Sequence, residues 1–222
     1  MSASTGRLVS VNRGSVEVHD WAGRLGRTAI DKRPVDGPVA VGRLGLEGDE
    51  VADAADHGGP DQAVYVYARE DLDHWARQVG LPLTPGMFGE NLTTAGIDVN
   101  EALVGERWQV GEPGVGPLLE VASVRRPCRV FANFLALHGV EATGWVRRFT
   151  VEGRPGPYLR VLETGTVTVG DPVEVVHVPA HALTVRRLLR ALTTEPELMA
   201  EVLAVPGIGE RVRADAARRV SG

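Results

Sequence analysis

A chain of 222 residues with 43% hydrophobic residues and a formal net charge of −5 can bury one large core, or a medium domain with an appendage. The acidic balance argues against a broad basic face for nucleic acid, and no stretch approaches the roughly 20 apolar residues of a membrane span. One cysteine excludes an internal disulfide, and the mixed, polar first 20 residues hold no leader-like run, so a reducing cytoplasm is the expected compartment.

In chain order, β-prone runs occur at RLVSVNRG (7–14), AVYVY (63–67), LLEVASV (118–124), YLRVLE (158–163), TVTVG (166–170) and PVEVVHV (172–178). Turn residues separate them, as in a mainly β domain, sandwich or barrel, rather than in alternating βαβ units. Helical spacing interrupts this pattern at REDLDHWARQVG (69–80) and between about residues 130 and 150, where the helices are expected to plug or cover the barrel. Two alternating segments flank Gly170-Asp171, and Pro172 points to an edge strand there.

Around Pro179 glycine almost disappears, and LTVRRLLRALTT, EPELMAEVLAV and IGERVRADAARRV read as three short helices. Thr184 is placed as an N-cap, Glu195-Pro196 as a helix start and Pro206-Gly207 as the break before the last helix. The expected division is a β domain over 1–179 and a three-helix extension over 180–222, too small to fold alone and therefore docked on the β domain.

Three segments are rich in reactive side chains. In GLEGDEVADAADHGGPDQAVYVY (45–67), Gly58 and Gly59 after His57 let the backbone approach a ligand and expose N–H groups; His57 also fits a turn histidine bonded to a local carboxylate. In PGMFGENLTTAGI (85–97), Asn91 offers a donor and an acceptor, and Glu90 precedes it; a plain turn before a strand fits equally. In SVRRPCRVF (123–131), Arg125, Arg126 and Arg129 favour a thiolate at Cys128, and thiolates are soft metal ligands, although a lone cysteine also fits inert core. The six histidines show no zinc-ligand spacing. LAVPGIGERVRADA looks like a helix-hairpin-helix DNA reader, which makes a DNA-binding module the reading from another class.

GLEGDE, HGGPDQAVYVY, PGMFGENLTT, RRPCRVF and GPYLRVLETGTVTVGD, in this order, resemble the MOSC domain, the molybdenum cofactor sulfurase C-terminal domain. More narrowly they resemble its YiiM-like branch, which carries a three-helix C-terminal extension. The resemblance implies a mainly β fold, a β-barrel related to the small barrel domain of pyruvate kinase with inserted helices. It implies a molybdenum-pterin cofactor with Cys128 as the protein ligand to the metal. The His-Gly-Gly match assigns His57, Gly58 and Gly59 to the cofactor groove, and the Gly-Glu-Asn match assigns Gly89, Glu90 and Asn91. Arg125 and the Gly-x-Tyr-x-Arg residues Gly156, Tyr158 and Arg160 complete the set. Relatives often carry a lysine two residues after the cysteine, where this chain has Val130; Arg129 or Arg126 is the expected substitute.

The implied activity is reduction of N-hydroxylated compounds, N–OH to N–H, with His57 as proton donor and Arg125 and Arg160 against the pterin phosphate. No cysteine set for an iron–sulfur cluster and no G-x-G-x-x-G opening a βαβ unit is present, so a separate flavin or iron–sulfur reductase is the expected electron donor. The alternative on the same thiol is a sulfur or cofactor carrier with a Cys128 persulfide. A homodimer is the default assembly. On the same resemblance, VPGIGERVRADA is the start of the last helix rather than a DNA reader.

Overall fold

In a computed structural model that describes residues 5–53 and 57–221, seven strands close into a barrel. They are β1 (Thr5–Arg13), β2 (Val64–Ala68), β3 (Leu92–Ala95), β4 (Arg107–Val110), β5 (Leu118–Val124), β6 (Pro157–Glu163) and β7 (Pro172–His177). The order round the barrel is β1-β7-β4-β5-β6-β2-β3 and back to β1. Neighbours are antiparallel except for β2 and β3, which run parallel. A parallel pair needs a crossover, and helix α1 (Arg69–Val79) supplies it.

Pro172 does not mark an edge. β7 pairs with β1 on one side and β4 on the other, closing the barrel, while Gly165–Val167 leaves to pair with Val39–Gly42 in a separate small sheet. The proline is tolerated because it is the first residue of its strand, where a missing N–H costs least.

Alternation along β2 divides the molecule into two cores. Val64 and Val66 join the aliphatic interior with Leu8, Val121 and Leu159, while Tyr65 and Tyr67 join an aromatic cluster. That cluster takes in all four phenylalanines and all three tyrosines of the chain, packed under α1, α2 (Arg129–Leu137) and α3 (Trp145–Glu152). Trp75 of α1 and Phe149 of α3 stack with centroids 5.8 Å apart. The helical insertions therefore build a second core beside the barrel rather than plugging its interior.

The tail forms α4 (Val185–Thr193), α5 (Met199–Ala204) and α6 (Glu210–Ser221). Thr184 caps α4, its side chain accepting from the Arg187 N–H at 3.1 Å. Leu188, Leu189, Val202 and Ala216 are buried in the same aliphatic core as the barrel strands. The hairpin before α6 spends its amides internally: Gly209 N–H donates to Ala122 O at 2.9 Å and Glu210 N–H to an Asp61 carboxylate oxygen at 2.7 Å. A DNA phosphate would have to displace both. Among the described residues, no helix is long and apolar enough to cross a membrane.

Candidate functional site

An open groove runs past the ends of β2, β5 and β6, walled by the 22–32 loop, the turn over 44–53 and the His57 loop. At its floor Arg125 follows directly on β5. Its N–H donates to Gly156 O at 3.3 Å, and its Nη1 donates to Phe88 O at 3.1 Å. The guanidinium lies 5.0 Å from the Tyr65 ring centroid and 5.1 Å from that of Phe131, and the residue is only 5% exposed. Burial works against its charge, but Tyr158, Tyr65 and Cys128 outweigh burial and leave its pKa raised. Arg125 therefore stays cationic, and its buried Nε has no hydrogen-bond partner among the described residues.

Pro127 keeps Arg126 from the helical region, so α2 begins after Cys128, which takes the N-cap position in extended conformation (φ −130°, ψ 170°). The thiol is half-buried and lines the groove. The other two arginines of that segment do not. Arg126 turns to the tail and pairs with Asp215 at 3.1 Å, and Arg129 is exposed to solvent. Neither replaces the lysine missing at Val130.

A second buried cation of the groove, Lys32, comes from a different loop. It is the single lysine among 24 basic residues, it lines the groove, and its ammonium pairs with Asp49 with both side chains less than a tenth exposed. Burial lowers its pKa, partly offset by Asp49. Asp49 also accepts from Gly14 N–H at 2.8 Å and from Asn91 Nδ2 at 2.9 Å. Lys32 lies in none of the five motifs and Asp49 lies in GLEGDE with no site role assigned to it, yet a lone lysine in an arginine-rich chain is a readable signal.

Of the residues assigned by resemblance, Cys128, His57, Gly58, Gly89, Asn91, Arg125 and Tyr158 line this one groove. Gly58 and Gly59 both take positive φ, 72° and 82°, which turns the loop sharply after His57, and Gly59 does not line the groove. The His57 N–H donates to Asp53 O at 2.8 Å. Tyr158 packs on Tyr65 at 5.0 Å, and burial raises its pKa against the pull of Arg125. Asn91 is nearly consumed by the protein: its Oδ1 accepts from Tyr65 N–H at 3.1 Å while its amide group holds Asp49.

Glu90 and Arg160 stand apart from the groove. Glu90 is fully buried and accepts from Gly86 N–H at 2.7 Å, Phe88 N–H at 3.0 Å and the Thr93 hydroxyl at 2.9 Å. Burial raises its pKa, while those donors oppose the rise. It shapes the loop that presents the Phe88 carbonyl to Arg125 and touches no ligand surface. Arg160 pairs with Asp61 at 2.7 Å and Glu120 at 3.2 Å and donates to Gly207 O at 2.8 Å. A guanidinium so engaged ties the tail to the barrel, outside the lining of the groove.

Gly86 lets this loop close on the Lys32 segment. A Cβ there would lie 2.0 Å from Lys32 O, at φ 90°. Gly86→Ala is expected to destabilise the protein by more than the ~1–3 kcal/mol of backbone strain alone. Gly114→Ala, at φ 81° with open space around it, isolates that strain. Equal melting temperatures for the two variants would show that the close approach carries no weight.

The MOSC domain profile matches residues 53–174. Protein YiiM of Escherichia coli is 34% identical over 153 residues, covering 67% of this chain and 64% of that protein. A protein of Gibberella moniliformis named "Reductase" is 30% identical over 210 residues, covering 90% of this chain but 35% of that longer protein. The crystal structure of YiiM from Geobacillus stearothermophilus superposes with a TM-score of 0.78 and 26% identity, over 97% of this chain and 99% of that one. A profile spanning more than half of the chain, an ordered set of motifs and a shared closed barrel place this chain in the MOSC domain family, in its YiiM-like branch.

Proposed function

We propose that this protein is a molybdenum-cofactor enzyme that reduces N-hydroxylated compounds, N–OH to N–H, with electrons from a separate flavin or iron–sulfur reductase in the cytoplasm. The observation that carries the reading is one open groove in which the Cys128 thiol shares its walls with two buried cations, Arg125 and Lys32. The printed name of the Gibberella relative supports the reaction class.

The residues fit such a cofactor. Among the described residues no cluster of three or more His, Cys, Asp or Glu could hold a metal, so a metal at Cys128 must bring its other ligands with it, as a pterin dithiolene does. The unpartnered Nε of a buried, permanently charged Arg125 suits an anionic group such as the pterin phosphate. When bound, the cofactor supplies the two-electron change that N–O cleavage requires.

The chain's own share is placement and proton supply. Cys128 holds the metal at the start of α2, and Pro127 fixes that start. Asn91 and Asp49 hold the groove wall, Tyr65 and Tyr158 give it flat aromatic surface, and His57 and Lys32 line it as side chains able to donate a proton. Protein purified from a molybdenum-cofactor-competent host is expected to reduce an N-hydroxylated base when a reduced viologen dye supplies electrons, and to do nothing with NADH alone. Turnover with NADH alone would remove the separate reductase, and labile sulfane sulfur without any turnover would replace the enzyme by a sulfur carrier.

A further inference from the structure

Of the 24 lysine and arginine side chains of this protein, all but one are arginine. The exception, Lys32, is buried in the wall of the groove. Arginine and lysine are interchangeable where only a surface charge is needed, and they differ where a proton must leave: a guanidinium stays protonated at any working pH, whereas an ammonium can release its proton. We infer that Lys32 is a catalytic residue of the groove, the one that delivers a proton to the departing hydroxyl oxygen of the substrate. This rests on the N-hydroxy reduction proposed above.

The geometry holds the ammonium still. Asp49 pairs with it, and Asp49 is itself fixed by Gly14 N–H and Asn91 Nδ2. The Lys32 backbone is fixed as well, its N–H donating to Ile30 O at 2.9 Å and its carbonyl lying against Gly86, where no side chain fits. A proton donor must be positioned before its acidity matters, and this one is positioned from both ends. Its charged surroundings are Asp49 and Glu90, which favour the ammonium, and Arg125, which disfavours it; burial outweighs them and eases release of the proton. His57, Cys128 and Tyr158 line the same groove.

The step balances. The N–O bond breaks as two electrons arrive from the flavin or iron–sulfur reductase; the Lys32 ammonium gives one proton to the leaving oxygen, which departs as water. The nitrogen takes the second proton from solvent to become N–H. The Lys32 amine regains its proton from water through the open groove, next to Asp49.

A single ε-amine makes the test clean, because amine reagents can modify only Lys32 and the chain's terminal amine. Competitive acetylation of the wild-type holoenzyme, read by mass spectrometry across roughly pH 6 to 11, reports the Lys32 titration directly. It is expected to fall below the free-lysine value of 10.5. Lys32→Arg and Lys32→Gln are then compared for molybdenum content, kcat and KM. Both are expected to lose about 10²–10⁴-fold in kcat with KM and metal content little changed, the range that a positioned proton donor contributes. Retained kcat in Lys32→Arg, or a wild-type amine that titrates as free lysine in a protein that turns over, would overturn the role of Lys32 alone. No turnover by the wild type would instead overturn the reaction itself. Should both variants lose their metal, the pH profile of wild-type kcat decides: it is expected to fall as Lys32 loses its proton, and a kcat indifferent to that titration would overturn the role.

Discussion

Cys128→Ala is expected to fold as the wild type does and to lose its molybdenum. Its side chain caps no helix and is half-buried, so removing the sulfur changes stability by no more than about 1 kcal/mol. Retention of the metal should fall by at least about 10–100-fold, the loss seen when only an outer partner of a metal ligand is removed. Reduction of the N-hydroxylated substrate should fall with it. Metal and pterin analysis of wild type and variant, expressed side by side in a cofactor-competent host, reads this out. Equal molybdenum in both would take Cys128 out of the ligand role and leave the groove without its central assignment.

The largest effect on stability is expected from Asp49→Ala. Lys32 and Asp49 are both less than a tenth exposed, and removing one partner of such a pair leaves a buried charge uncompensated, at about 3–5 kcal/mol. Asn91 Nδ2 and Gly14 N–H lose their acceptor at the same time. At roughly 2–4 °C per kcal/mol for a chain of this size, the melting temperature should drop by about 6–20 °C. The deficit carries a pH signature. The folded pKa of Lys32 lies below its unfolded value, so between those two values the unfolded chain binds the extra proton and stability rises with pH. Without Asp49 the folded value falls further and that window widens toward neutral. The variant should therefore be weakest relative to wild type near neutral pH and regain ground as pH approaches 10.5. A deficit constant across that range would mean that Lys32 is not charged in the folded protein, and chemical denaturation at stepped pH measures it.

Much of the fold is legible in local pattern. The Val-Tyr alternation of residues 64 to 67 is a strand with two faces, and both are buried, each in its own core. Thr184 before an amphipathic run is an N-cap, and the Glu195-Pro196 and Pro206-Gly207 breaks fall at the helix boundaries of the tail. The five ordered motifs also lead to the family, because each carries a turn or reactive residue whose type is dictated locally.

Pairing is different. Whether Pro172 opens an edge strand or closes a barrel depends on β1 and β4, which are 159 or more residues and about 60 residues away along the chain, and no local rule reaches so far. The same holds for side chains that meet only on folding. Glu90 and Arg160 sit in motifs but spend their charges on the loop amides and on Asp61, and Arg126 spends its charge on Asp215 of the tail. Lys32 sits in no motif and arrives beside Asp49 and Arg125. By itself the sequence determined the strand and helix types and the family, because propensity, capping and motif chemistry are local. Tertiary structure alone decided which charges face the groove and which are neutralised inside, because burial and ion pairing belong to residues that only the closed barrel brings together.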